Sequence, residues 1–193
     1  PEVVVEANNR IRELEGEEKR EIVRILTSFT DVIRPLTPDI LQSYDFLAEI
    51  DFIRAKALFA QEIKGIHPVV EDKPQVDWAR AVHPLLYLSL KKQQKTVVPL
   101  DITLTDEKRM LIISGPNAGG KSVCLKTVGL LQYMMQSGLL VPMHESSRMG
   151  IFSHLFIDIG DEQSIENDLS TYSSHLTHMK YFVRNCDERT ILL

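Results

Sequence analysis

Three observations predict an α/β fold in which a sheet with flanking helices is preceded by a long α-helical hairpin. An apolar run, Arg109-Met110-Leu111-Ile112-Ile113-Ser114, leads straight into a Gly-x-x-x-x-Gly-Lys-Ser loop, and an amphipathic stretch follows that loop. Ahead of it, two long segments carry apolar residues at three-and-four spacing, the period of a helix with one buried face. Residues 98–104, 151–159 and 189–193 alternate in polarity or are rich in β-branched and apolar residues, which marks strands.

In the first helix, over about residues 9–33, Ile11, Leu14, Ile22, Ile25, Phe29 and Val32 form the apolar stripe, with Glu18 in the one slot that departs from it. Pro35 ends this helix. Thr37 is read as the N-cap of a second helix and Pro38 as its first residue, and Leu41, Tyr44, Phe52, Ala55 and Ile63 carry it to Gly65. Two long helices joined by a short Pro-containing link predict an antiparallel hairpin, a structural arm over residues 1–66 with no chemistry assigned to it.

A second domain, 67–193, opens with a linker containing Pro68 and Pro74. His83-Pro84 forces a non-helical bend, and His83 reads as a turn residue. Residues 98–104 predict a half-buried strand, at a sheet edge because of Pro99. The run 109–114 predicts the strand that feeds the loop. After the loop, Val123 or Cys124, Val128, Leu131 and Met134 or Met135 predict a helix that ends at Gly138 as a C′ glycine. Beyond a strand at 151–159 and a polar segment at 160–169, Leu176, Met179, Val183 and Cys186 form the stripe of another helix. Ser170 or a near neighbour caps it, and its N-terminus is a second anion site, although capping alone explains the hydroxyl cluster 170–174. His175 and His178 lie one turn apart with no further ligand to complete a metal set, and read as helix-surface residues.

The loop carries the chemistry. Gly115 and Gly120 let the backbone turn tightly and approach an anion, so that successive N–H groups face phosphate oxygens. The helix beginning near Lys121 adds its N-terminal partial charge. Lys121 supplies a full charge to β and γ phosphates, and the Ser122 hydroxyl is placed to hold magnesium. Gly115, Pro116, Asn117, Ala118, Gly119, Gly120, Lys121 and Ser122 are therefore the candidate cradle for ATP or ADP in a P-loop NTPase.

Composition narrows the class. A chain of 193 residues with 44% hydrophobic and 25% charged residues is long enough for a sizeable core. It has neither an apolar run of membrane-spanning length nor a leader pattern at its start, so a cytoplasmic protein is expected. Cys124 and Cys186 lack paired spacing and read as small core residues. The net charge of −5 argues against a DNA-binding surface on these residues themselves. A start at Pro1 and an end inside a strand read as a segment cut from a longer protein.

GPNAGGKS with the following VCLKTVGLLQYM, the HPLL stretch at His83, and DEQSIENDLSTYSSH together resemble the ATPase domain of MutS proteins, in particular the MutS-two branch. The resemblance covers almost the whole chain, since the helical arm is similar to the core and lever helices that precede that domain. It implies an ABC-like P-loop sheet that uses ATP and magnesium. It also implies a homodimer whose two ATPase domains sandwich two ATP molecules, and closure transmitted through the levers to clamps on branched or mismatched DNA. By position, Asn117, Lys121 and Ser122 match the family's phosphate and magnesium residues, Gln163 falls in the loop that senses nucleotide state, and Ser170 matches the signature serine that reaches the partner subunit's γ phosphate. The acidic pair that completes the magnesium site would follow Leu193, so these residues are expected to bind nucleotide and scarcely hydrolyse it. The family's mismatch-repair and recombination-suppressing roles remain open, as does a ribosome-associated role in the MutS-two branch. Outside the family, a small-molecule kinase using the same loop is the competing reading; the loop alone does not exclude it, and the long helical arm speaks against it.

Overall fold

The structure, a computed structural model, describes residues 2–116, 119–159 and 168–193, with the backbone alone at 168–172 and 174. It divides into two compact units, Pro1–Arg54 and Ala55–Leu193.

The first unit is helical: α1 (Glu2–Ile33), a single 3-10 turn (Arg34–Leu36) and the first part of α2 (Thr37–Ile63). The antiparallel hairpin does not form. Ile33 and Thr37, on either side of the turn, both keep right-handed helical backbone angles, so the path carries on instead of reversing. Pro35 permits this because it sits in the first turn of the new segment, where no intrahelical N–H is needed. Thr37 is correspondingly not an N-cap: its N–H donates to the Arg34 carbonyl, and its hydroxyl donates to the Ile33 carbonyl at 3.5 Å. The predicted stripe of α1 exists, yet Ile11, Leu14, Ile22, Ile25, Phe29 and Val32 are all exposed and α1 buries no residue.

In the second unit the end of α2 buries Ala60 and Ile63, and the core gathers on two small sheets. A mixed four-stranded sheet runs in the order β1 (Val69–Glu71), β4 (Arg148–Gly150), β2 (Val76–Ala81), β3 (Leu100–Leu104). The predicted linker, residues 66–75, contains one short strand, β1. That strand is short and polarity-mixed because it is specified by a partner far along the chain, in the parallel pairing Val69↔Arg148. β3 takes the predicted edge position, antiparallel to β2, with Ile102 opposite Trp78 and both buried. The pairing is irregular between Trp78 and Ala81, where Arg80 adopts φ 52 and its N–H is satisfied by Asp101 Oδ1 at 2.7 Å. Gly150 is required here: a Cβ would stand 2.1 Å from the Lys73 carbonyl oxygen.

His83 makes the predicted bend and does more. It caps α3 (Pro84–Lys92), its Nδ1 accepting from the Leu86 N–H at 3.3 Å, and burial pushes its pKa down. The second sheet pairs β5 (His154–Phe156) in parallel with β6 (Thr190–Leu192). β5 is shorter than the predicted 151–159, and the ladder is prolonged by Leu193 N–H to Phe156 O (2.9 Å) and Asp158 N–H to Leu193 O (2.7 Å). Between these strands in sequence lies α5 (Asp168–Asn185). Cys124 is half-buried and Cys186 exposed, so only the first approaches the core position expected of both.

Candidate functional site

The helix that carries the loop, α4 (Lys121–Gln136), is held across both sheets. Val128, Leu131 and Met134 are buried, as their spacing predicts. Gly129 gives close approach to the parallel pair, since a Cβ there would meet Ile157 Cδ1 at 2.8 Å and Leu193 Cδ1 at 3.2 Å. A Schellman motif closes the helix at Gly138 (φ 73), with Gly138 N–H to Met135 O at 2.9 Å and Leu139 N–H to Met134 O at 3.0 Å.

Two glutamines on the same face escape a reading based on apolar spacing. Gln132 is 1% exposed. Its Nε2 donates to Gly150 O at 2.8 Å and to Gln136 Oε1 at 2.7 Å. Gln136 in turn brackets Phe152, donating to its carbonyl and accepting from its N–H, both at 3.0 Å. These bonds bind α4 to the backbone between β4 and β5 and so anchor the helix whose other end carries Lys121. The available signal was a Gln pair at i, i+4 beside Val128 and Leu131.

At the N-terminus of α4 the structure brings together Gly115, Pro116, Gly119, Gly120, Lys121 and Ser122. Gly120 is the N-cap in the left-handed region (φ 88), and among the described residues no atom beyond its own and its chain neighbours' lies within 4 Å of the place a Cβ would occupy. The backbone conformation, not crowding, is what calls for glycine there. Gly119 N–H closes a turn on Pro116 O at 3.0 Å, and Cys124 N–H makes the first helical bond, to Gly120 O, at 2.9 Å. The preceding N–H groups of the first turn have no acceptor within the helix. Lys121 Nζ folds back over the loop and donates to Gly115 O at 2.6 Å and Pro116 O at 2.9 Å. A cation, helix-end N–H groups and the exposed Ser122 thus meet at one turn, and groups of this kind favour an anion.

The run 109–113 departs from expectation. It is not a strand, and Met110 and Ile112 are 90% and 91% exposed. With β6 it lines a cavity of about 480 Å³, together with Leu125, Val128 and Phe152. The run is apolar enough for a buried strand, but strand conformation needs a hydrogen-bonded neighbour, which periodicity cannot supply.

Asn117, Ala118 and Gln163 lie outside the described residues. Ser170 lies in the first turn of α5, where the backbone alone is described. Farther along α5, His175 and His178 are not simply surface residues. Both converge on Asp158, whose carboxyl is held below its usual range by His175 first and His178 second. Among the described residues no cluster of His, Cys, Asp and Glu is arranged to hold a metal ion, and no helix is long and apolar enough to cross a membrane.

Residues 111–193 match the family model for MutS domain V. Residues 111–193 are thus a MutS domain V segment. Over all 193 residues it is 43% identical to the Endonuclease MutS2 of Geobacillus sp. (strain WCH70) and 42% identical to that of Shouchella clausii (strain KSM-K16). It is 44% identical over the same span to the Endonuclease MutS2 of Finegoldia magna (strain ATCC 29328 / DSM 20472 / WAL 2508). In each case the whole chain is covered, and it spans 24% of the relative's length. The structure is α/β with a long N-terminal helix and small sheets, and residues 109–113 are not part of a strand.

Proposed function

We propose that these residues are the ATP-binding segment of a MutS-type ATPase that acts on DNA in the cytoplasm, as a homodimer with composite nucleotide sites. The observation that carries this reading is the turn 115–122, with Gly120 left-handed and Lys121 Nζ laid across the loop carbonyls at the N-terminus of α4. Lys121 is in place to exchange those carbonyls for β and γ phosphate oxygens, and the N–H groups of the first helical turn take the remaining phosphate charge. Ser122 would hold magnesium, which supplies neutralisation of charge between the β and γ oxygens. Asn117 and Gln163 act at the phosphates and in the nucleotide-sensing loop, and Ser170 acts on the partner subunit's nucleotide; these three roles follow from the family resemblance. The chain's residues bind and orient the nucleotide. Titration with a fluorescent ATP analogue in magnesium tests this. Lys121→Ala should weaken binding about tenfold to a hundredfold, the worth of a charge-assisted hydrogen bond. Equal binding by wild type and Lys121→Ala would refute the phosphate role.

A further inference from the structure

We propose that Asp158 is a positioning residue which, through His175 and His178, sets the axis and rotation of α5 and hence where its first turn presents Ser170. The inference rests on the composite-site reading above for what Ser170 does, and on geometry for the rest.

α5 is held to the β5 side at two levels. At the first, Phe156 stacks on Phe182 with ring centroids 5.0 Å apart and meets Tyr181 edge-on at 5.7 Å. At the second, two residues farther along the chain, the Asp158 carboxylate takes His175 Nδ1 at 2.6 Å on one oxygen and His178 Nδ1 at 3.0 Å on the other. A step of two extended residues covers about 6.6 Å, and four to six helical residues cover about 6–9 Å, so the two levels match a helix running antiparallel to the strand. Ser170 lies five residues before His175, about 7.5 Å farther along the helix axis.

The division of work follows from the chemistry of each level. Stacked rings tolerate sliding and leave the helix free to pivot about Phe156. A carboxylate gripped on both oxygens by donors one turn apart removes the pivot and the rotation together. An ionised carboxylate only accepts, so both imidazoles carry their proton on Nδ1 and donate. Asp158 is itself fixed: its side chain is 12% exposed and its N–H is bonded to the Leu193 carbonyl at 2.7 Å, beyond β6. The helix end that serves the neighbouring site is thereby referenced to the same parallel pair that packs under α4 at Gly129. An error of about 1 Å in such a group is enough to cost a hundredfold in rate.

The test uses the full-length protein. Asp158→Ala, and the double variant His175→Leu with His178→Leu, should lower kcat for ATP hydrolysis roughly tenfold to a hundredfold while leaving nucleotide affinity within about twofold, because the P-loop is untouched. His175→Asn with His178→Asn should restore most of the rate, since the Asn amide nitrogen reproduces the Nδ1 donor. In the nucleotide-free protein, amide exchange over 170–174 should accelerate at least about tenfold in Asp158→Ala, as local opening becomes easier. Wild-type exchange and kcat in Asp158→Ala, with Ser170→Ala impaired, would overturn this inference alone. Wild-type turnover in Ser170→Ala would instead overturn the composite-site reading, and the exchange measurement would still decide whether Asp158 holds the helix.

Discussion

Replacing Gln132 tests whether the link between the phosphate loop and the sheets is made by hydrogen bonds or by packing. Gln132 is 1% exposed, its Nε2 satisfies the Gly150 carbonyl at 2.8 Å, and its Oε1 finds no hydrogen-bond partner among the described residues. Gln132→Met keeps the length of the side chain and removes the unpartnered Oε1, but strands the Gly150 carbonyl. An unsatisfied buried group costs about 1–3 kcal/mol; here one is exchanged for another, and the net loss should be about 1 kcal/mol or less. Gln132→Glu keeps the shape but aims a carboxylate at the Gly150 carbonyl and Gln136 Oε1, and should cost more than about 3 kcal/mol at neutral pH. The sign of its pH dependence is fixed: burial raises the pKa of the new carboxyl in the folded state, the folded state binds more protons, and the deficit shrinks as pH falls. Urea unfolding of wild type and both variants at pH 7.5 and 5.5 measures this. A Met variant as unstable as the Glu variant, or a Glu deficit that ignores pH, would refute the reasoning and assign Gln132 a role in shape alone.

Two further outcomes follow from the same geometry. His83→Asn should keep the α3 cap, whereas His83→Leu should cost about 1 kcal/mol. Because burial lowers the His83 pKa, the folded state binds fewer protons than the unfolded one below the ordinary value of 6.5, so stability is lost as pH falls through that value. Unfolding midpoints at pH 7.5 and 5.5 should show this loss in wild type and a smaller one in His83→Asn. Glu71 should titrate at about 2 by carboxyl NMR, because Lys73 at 2.9 Å and Arg148 at 2.7 Å favour its charged form. Arg148→Met should raise that midpoint, and its contribution to stability, present above the usual Glu value, is lost as pH falls towards 2.

Features whose causes are local were legible in residue order. The turn at 115–122 needs a left-handed residue at Gly120, α4 shows its buried face in Val128, Leu131 and Met134, and His83-Pro84 dictates a bend. In each, backbone sterics or side-chain period acts within a few residues, so residue order is enough. The rest depended on contacts between residues far apart in the chain. The path of α1 into α2 depended on whether anything covers the stripe from Ile11 to Val32, and the helical turn at Pro35 simply continues it. β1 exists because Val69 meets Arg148, and 109–113 stays out of the sheet for want of a paired neighbour. Asp158 meets His175 and His178 only because α5 packs against it. Hydrogen bonds between residues many positions apart leave no period and no spacing, and these bonds hold the loop on its sheets and aim the helix that carries Ser170.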